Sequence, residues 1–323
     1  ARSRAELARG ARWRGVRGAL LWLGSYAGWV LVLRLLVLTF VTYFVMTSTA
    51  SRAPRFEDIS EAFGSNEITL VGLTAVAFVV LLRLLNPITS TTTDEIFTPQ
   101  KVEKIFLPGF FHGALVASGL ILALLLSGLY RYLGFIVQFE DAHISMPSIV
   151  MRVLAIAGWV YCEEFIFRHK LQRHLAALPF ALSSDPARSA RLAEISAVLI
   201  TAIAYCGVKL LQFDLGSMHM LTLFLASIAL SVRAMKDRDF AGGAGFFAAT
   251  LIVFHPVLSL PVFGNEFSGI VLVKHQAAME IVEDQAATAR FFGGGAGGPL
   301  GSFAFQLLLI LDIARGIIQM RKK

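Results

Sequence analysis

The sequence contains few charged residues, and this scarcity limits the class of protein to which it can belong. Asp, Glu, Lys and Arg make up 16% of the 323 residues, while 56% are hydrophobic and the mean hydropathy is +0.68. A soluble domain carries about 25% charged residues. The composition therefore excludes a soluble globular protein and predicts a polytopic membrane protein.

Cysteine is also scarce, since the chain contains only Cys162 and Cys206. Both lie within apolar runs, and two such cysteines do not make a disulfide framework. No Cys-x-x-Cys or His-x-x-x-His spacing accompanies them, so packing of small side chains explains them better than metal ligation. From these spacings we predict neither a metal nor another cofactor.

Long apolar runs are what the chain has in abundance. A helix needs about 20 mostly apolar residues to cross a bilayer. By this criterion we predict an all-α transmembrane bundle of about eight spans, at residues 18–46, 68–86, 105–130, 148–172, 192–212, 219–233, 243–263 and 302–320.

Basic residues concentrate in alternate loops. They occupy the N-terminal segment, the end of the fourth predicted span with its following loop, the loop at 233–238 and the final residues 321–323, whereas Glu57, Asp58 and Glu61 follow the first span. Because cytoplasmic loops carry the excess of Lys and Arg, we predict that both termini are cytoplasmic. The expected location is a bacterial cytoplasmic membrane. Residue 1 is alanine, so we expect the true start to lie upstream.

The formal net charge of +7 has two competing explanations. Basic residues beside membrane spans contact anionic headgroups, whereas a nucleic-acid-binding protein presents a basic face on a soluble domain. Here the basic residues are spread over several membrane-flanking loops. We therefore expect contact with the lipid bilayer and with membrane-protein partners in a larger assembly, and no binding of nucleic acid.

The order of features divides the chain into three parts. Residues 1–145 contain the basic segment and three predicted spans, and residues 146–263 contain the polar motifs described below. Residues 264–323 contain a stretch at about 270–291 that mixes apolar and charged residues, a glycine-rich run and the last span. We predict that the stretch forms an external or interfacial amphipathic helix, and that the glycine-rich run is a flexible hinge.

Three charged side chains lie inside the fourth span, in the motif Glu163-Glu164-x-x-x-Arg168. A charge near the middle of a bilayer costs roughly 2.5–3.5 kcal/mol, and such residues usually mark function. Glu164 and Arg168 are four residues apart on one helical face, in the favourable acid-before-base order. The simplest interpretation is that Arg168 holds Glu164, which leaves Glu163 for another role.

Two further polar pairs occur in later spans. Tyr205 and Lys209 lie in the fifth span, and His255 and Ser259 lie in the seventh. Each pair has a spacing of four residues, which places both members on one face of a continuous helix. We therefore predict that spans four, five and seven pack around a polar centre containing Glu163, Tyr205, Lys209 and His255.

These motifs, in this order, resemble those of the CAAX protease and bacteriocin-processing family of intramembrane endopeptidases, also called the ABI family. That family has Glu-Glu-x-x-x-Arg, Phe-x-x-x-His and His-x-x-x-Asn on three successive core helices, and the resemblance covers roughly residues 145–263. It implies that Glu163 is the base that activates water, in some descriptions with a metal. It also implies that His255 stabilises the oxyanion and that Glu164 and Arg168 complete the first motif.

Two positions depart from the family pattern. Lys209 stands where the family has the histidine of the second motif, and Ser259 stands where the third motif usually has asparagine. An ammonium group has three donors and no acceptor, so it does not replace a neutral imidazole. An ion pair between Glu163 and Lys209 would join two helices and occupy the carboxylate. The leading hypothesis is a catalytically impaired scaffold or accessory subunit of a membrane complex.

The alternative hypothesis is an active intramembrane endopeptidase that cleaves a membrane-anchored or lipid-modified substrate, with Lys209 in a changed role. Purely structural roles also stay open for each motif residue. Glu164 and Arg168 can be a structural pair, Glu163 an anchor between helices, His255 a satisfied core histidine and Ser259 a hydroxyl that packs between helices. The geometry of Glu163, Lys209 and His255 distinguishes these hypotheses.

Overall fold

The computed structural model describes residues 4–48, 67–84, 102–135, 146–176, 186–213, 215–263, 269–275, 291–294 and 298–321. These residues are mostly helical. The elements are α1 (Arg4–Ser48), α2 (Glu67–Leu84), α3 (Leu107–Leu126), β1 (Tyr130–Phe135), α4 (Met146–Glu164), α5 (Gln172–Ala176), α6 (Pro186–Gln212), α7 (Ser217–Asp237), α8 (Ala241–Ile252), β2 (Val271–His275) and α9 (Phe303–Arg321). Turns of π-helix precede α3 at Val102–Phe106, join α4 to α5 at Phe165–Leu171 and follow α8 at Val253–Val257.

Five of the described helices are long and apolar enough to cross a membrane. They are Gly15–Phe40, Glu103–Leu126, Arg188–Gln212, Ser217–Asp237 and Phe303–Arg321, and each overlaps a predicted span. Two shorter apolar helices, Glu67–Leu82 and Ala241–Val257, overlap the predicted second and seventh spans. The prediction of a helical membrane protein is confirmed at this level.

The segment from α4 to α5 occupies the centre of the bundle. Both α2 and α8 pack against α4, while α1 contacts the π-helical turn and α5. Every residue from 159 to 169 is buried, including both motif glutamates and Arg168. The polar motif therefore lies in the protein interior, where each charge needs a partner.

Small residues allow the backbones of α3 and α8 to approach closely. A Cβ atom added to Gly113 would lie 2.1 Å from the carbonyl oxygen of Phe246. Without a hydrophobic driving force between helices in lipid, such close packing is a principal source of association. This contact holds α3 against α8. Because α8 also packs against α4, it fixes the position of α3 relative to α4.

A two-stranded antiparallel sheet lies beyond the C-terminal end of α3, and it corrects two expectations. β1 pairs with β2 from Tyr130 opposite His275 to Phe135 opposite Val271. The predicted amphipathic helix at about 270–291 is therefore wrong at 271–275, and residues 276–290 lie outside the described part. Val271 and Val273 are β-branched, which favours a strand, and burial alternates from Val273 through Lys274 to His275. The fold is thus predominantly helical and not all-α.

The predicted seventh span ends earlier than expected. The helical backbone stops at Val257 instead of residue 263, and Ser259 has a φ of 54°. Pro256 supplies no backbone donor, and its carbonyl accepts a hydrogen bond from the amide of Ile270. The chain therefore turns back toward β2 after Val257.

The described part of the glycine-rich run packs against this turn. Gly298 has a φ of 72°, and a Cβ atom at this position would lie 2.2 Å from the carbonyl oxygen of Pro261. Glycine is required here by both the backbone conformation and the close approach. The following residues Pro299–Gly301 form a turn of 3₁₀-helix and are buried.

Candidate functional site

A closed hydrogen-bond network surrounds the carboxylate of Glu163. Lys209 Nζ on α6 lies 2.5 Å from Glu163 Oε2, while Tyr26 on α1 and Gln212 on α6 donate to Oε1 at 2.8 and 3.0 Å. All four side chains are almost fully buried. The predicted ion pair between Glu163 and Lys209 is therefore present, and it joins α4 to α6. Tyr26 adds α1 to the same cluster.

The ammonium of Lys209 uses its three donor positions within this cluster. It donates to Glu163 and, at 2.8 Å, to Gln212 Oε1. The ring of Trp159, one turn before Glu163 on α4, has its centroid 4.1 Å from Nζ. A desolvated cation over an indole face gains about 2 kcal/mol or more. The ammonium is thus held by one carboxylate, one amide and the aromatic rings of Trp159 and Tyr205.

The second glutamate of the motif forms a separate pair. Arg168 Nη1 lies 3.1 Å from Glu164 Oε1, and Arg168 Nη2 donates to Ser227 Oγ on α7 at 2.9 Å. The predicted pairing of these motif residues is confirmed. Arg168 lies in the π-helical turn Phe165–Leu171, from which its side chain reaches α7. Single turns of π-helix are frequent at functional sites.

Tyr205 lies between the two ion pairs. Its ring centroid is 4.7 Å from the guanidinium carbon of Arg168 and 5.0 Å from Nζ of Lys209. Phe167 meets the same ring edge to face at 5.1 Å. The aromatic ring separates two buried cations while presenting a face to each. Tyr205 is therefore part of the polar centre, as predicted.

His255 belongs to a different polar contact. Its Nε2 lies 3.1 Å from Nη1 of Arg152, and its Nδ1 lies 3.3 Å from the carbonyl oxygen of Leu260. Because a guanidinium only donates, Nε2 accepts and Nδ1 carries the proton. Both ring nitrogens are thus engaged, and His255 is a satisfied core histidine in this geometry.

The partner of His255 also places it at a different depth from Glu163. Arg152 and Glu163 are both on α4 and are eleven residues apart, a rise of roughly 16 Å along the axis. The predicted polar centre therefore contains Glu163, Tyr205 and Lys209, while His255, in the turn after α8, contacts α4 at Arg152 instead.

Ser259 is not on a helical face shared with His255, contrary to expectation. Its Oγ donates to the carbonyl oxygen of Val271 at 2.8 Å and accepts from the amide of Gly269 at 2.8 Å. These bonds join the turn after α8 to the start of β2. Since the helix has ended at Val257, the hydroxyl stabilises a loop and does not face Glu163.

Five residues of these contacts were not identified from the sequence, namely Tyr26, Arg152, Trp159, Gln212 and Ser227. Tyr26, Trp159 and Gln212 carry no charge, so none of them stands out in the sequence as a group that needs a partner of opposite sign. Gln212 follows Lys209 by three residues on one face, a spacing that favours contact with the same partner. Arg152 is a buried cation within a predicted span, and that alone is a signal of a polar contact.

The donor set does not fit the metal that the family resemblance would place beside Glu163. The neighbouring Lys209 ammonium has no lone pair for ligation. Among the described residues, no group of three or more His, Cys, Asp and Glu side chains is placed to hold a metal ion. Cys162 and Cys206 are free and buried.

Comparison with protein-family models, with curated proteins and with solved structures found no match to this chain.

Proposed function

We propose that this chain is an integral membrane protein built like the CAAX protease and bacteriocin-processing family, in which the catalytic site has become a structural lock. In this proposal it has no peptidase activity and serves as a scaffold or accessory subunit of a membrane assembly. The proposal rests on the observation that the carboxylate of Glu163 accepts hydrogen bonds from Tyr26, Lys209 and Gln212.

A base that activates water must have a free lone pair directed at that water. Three of the roughly four acceptor sites of the Glu163 carboxylate are occupied by hydrogen bonds, and the surrounding side chains are almost fully buried. The countercharge on Lys209 further stabilises the carboxylate in place. Withdrawing it from the cluster would strand a buried ammonium, at a cost of roughly 3–5 kcal/mol.

Loss of the oxyanion group supports the same proposal. An oxyanion donor must present an N–H about 2.7–3.1 Å from the developing charge. The only N–H of neutral His255 faces the carbonyl oxygen of Leu260, and its other nitrogen faces Arg152. Ser259 is used within the loop. Neither third-motif residue is directed at Glu163.

The length of α1 supports a role in assembly. Its 45 residues rise roughly 68 Å, more than twice the hydrocarbon thickness of a bilayer. Its membrane-crossing part is Gly15–Phe40. The basic N-terminal part therefore extends as a helix beyond the membrane on the side of α5, where it is available to a partner subunit.

The proposed placement is a bundle of eight spans in a bacterial cytoplasmic membrane, with both termini in the cytoplasm. The helix from α4 to α5 supplies the eighth span, in addition to the five long and two shorter apolar helices. Single cysteines added at either terminus should react with an impermeant maleimide only from the cytoplasmic side. Labelling of one terminus from outside would contradict this topology.

The absence of peptidase activity is tested in detergent and in nanodiscs. The purified protein and its Glu163→Gln variant are incubated with fluorogenic peptide libraries and with a lipid-modified peptide. We expect equal, background signals from both. Cleavage by the native protein that disappears in Glu163→Gln would instead establish the endopeptidase alternative.

The scaffold role needs a separate measurement. Native electrophoresis and in-membrane crosslinking should place the chain in a complex larger than the monomer, and Glu163→Gln should leave that complex intact. A variant shortened by residues 4–14 should release it. Migration as a monomer in its own membrane would contradict the scaffold role without bearing on the peptidase result.

A further inference from the structure

A basic crevice opens where one end of α3 meets the C-terminal ends of α7 and α9. Its volume is about 790 Å³, and it lies apart from the Glu163 cluster. The charged or titratable side chains that line it are Lys104, His112, Arg233, Lys236, Asp237 and Arg238. Five of these six are basic residue types.

The floor of the crevice is rigid and nearly neutral. Arg233 makes two hydrogen bonds with Asp312 on α9, at 2.7 and 2.8 Å, and its guanidinium carbon lies 3.9 Å from the ring centroid of Phe246. His112 approaches Arg233 at 3.4 Å and packs on the same ring. A bidentate arginine–carboxylate pair fixes geometry as well as charge. The floor thus joins α3, α7, α8 and α9.

The rim carries the net positive charge. Lys104 precedes His112 by eight residues, roughly 12 Å along a helix, and Arg238 follows the end of α7 with a φ of 55°. Lys236 also lines the crevice, and its Nζ lies 3.5 Å from Asp237 Oδ1. Three cations therefore face one carboxylate at the mouth of the crevice.

We propose that this crevice binds the phosphate group of an anionic lipid headgroup. Lysine and arginine side chains are the usual partners of phosphate, and basic pockets between spanning helices bind anionic headgroups. A lipid is favoured over a soluble phosphate by the face of α3 beside the crevice. There Leu107, Phe111 and Leu115 are 39%, 68% and 73% exposed, which provides a surface for acyl chains.

Native mass spectrometry of the purified protein tests the proposal directly. The protein is delipidated and then offered an equimolar mixture of phosphatidylglycerol and phosphatidylcholine in detergent. We expect preferential retention of phosphatidylglycerol, and a loss of roughly 10–30-fold in that preference in Lys104→Gln/Arg238→Gln. The charge-conserving Lys104→Arg/Arg238→Lys should keep the preference.

The matched control changes two exposed cations at the other end of α3. Arg131 and Lys274 face each other across the sheet, and both are exposed. Arg131→Gln/Lys274→Gln should retain phosphatidylglycerol as the native protein does. Equal retention by the two glutamine double variants would overturn the proposal, because the crevice would then contribute nothing beyond general surface charge.

A second measurement separates a lipid from a soluble phosphate. Inorganic phosphate and glycerol phosphate are added to the delipidated protein, and thermal stability is recorded beside nanodiscs containing phosphatidylglycerol. If only the nanodiscs stabilise the native protein, and this stabilisation is lost in Lys104→Gln/Arg238→Gln, the result supports a lipid as the ligand of the crevice. Equal stabilisation by glycerol phosphate would overturn the lipid assignment and make the crevice a site for a soluble phosphate ester.

Discussion

Replacing Lys209 by methionine removes the countercharge of Glu163 while keeping most of the side-chain volume. Glu163 would keep its hydrogen bonds from Tyr26 and Gln212, but the buried negative charge would be uncompensated. Breaking one partner of a buried pair costs roughly 3–5 kcal/mol. The Oε1 of Gln212 would also lose the donor that now lies 2.8 Å away. We therefore expect Lys209→Met to destabilise the protein by at least about 3 kcal/mol.

The reverse change, Glu163→Gln, strands the ammonium of Lys209 and should be destabilising as well. In Glu163→Gln the ammonium keeps Gln212 Oε1 and the face of Trp159, and the new amide oxygen still accepts one hydrogen bond. Replacing both members of a buried pair is often close to neutral. The double variant Lys209→Met/Glu163→Gln should thus be more stable than Lys209→Met alone, with a coupling of about 2 kcal/mol or more.

The native protein, the two single variants and the double variant form a double-mutant cycle. The stability of each is measured by unfolding with dodecyl sulfate in mixed micelles, followed by circular dichroism. Lys274→Met is the control, because that lysine is exposed on β2 and should change stability by less than about 0.5 kcal/mol. A coupling below about 0.5 kcal/mol would refute the ion-pair account. Glu163 would then return as a candidate catalytic base.

Three further changes have defined expectations. Gly113→Ala should destabilise the protein by roughly 1–3 kcal/mol, because the added methyl group forces α3 away from a carbonyl oxygen of α8. Gly119→Ala on the same helix is the control: it has open space around it and should change stability by less than about 1 kcal/mol. The same unfolding assay compares the two variants. Ser227→Ala should destabilise the protein by roughly 1.5–3 kcal/mol, because it removes a hydrogen-bond acceptor of Arg168. Ser231→Ala, one turn later, is the control: its hydroxyl lacks a partner among the described residues, so the change should be neutral or stabilising. Equal losses of stability in the two variants would contradict the role of Ser227 as an acceptor of Arg168. Lys209→His should not create peptidase activity, since two other donors still hold the carboxylate; new cleavage of a fluorogenic peptide would show that the lysine alone silences the site.

The sequence was sufficient to predict a helical membrane protein, the approximate positions of five long and two shorter apolar helices, and the ion pairs of Glu163 and Glu164. Apolar runs of about 20 residues are a strong signal, and a lone charge in such a run needs a partner of opposite sign. Glu164 and Arg168 could be paired by their spacing and order, whereas Glu163 and Lys209, 46 residues apart, were paired through the resemblance of their motifs to those of the family. The neutral partners Tyr26 and Gln212 gave no comparable signal.

The sequence could not predict the depth of His255 relative to Glu163 or the geometry of the loop that contains Ser259. His255 and Glu163 could be placed in neighbouring helices, but their relative height depends on where each helix begins and on Arg152, which fixes it. Ser259 matched the spacing of a helical motif, yet the turn after Pro256 ended the helix before it. β2 was too short and too close to charged residues for its pairing with β1 to be expected.

The 46 residues that separate Glu163 from Lys209 have a consequence for biogenesis. Ribosomes add about 5–20 residues per second, so Lys209 is synthesised about 2–9 s after Glu163. During that interval Glu164 already has Arg168 in its own helix, but Glu163 has only the earlier Tyr26 nearby. A nascent chain halted before α6 therefore holds an uncompensated carboxylate in its fourth hydrophobic segment, and such truncated products should be preferred substrates of membrane quality-control proteases.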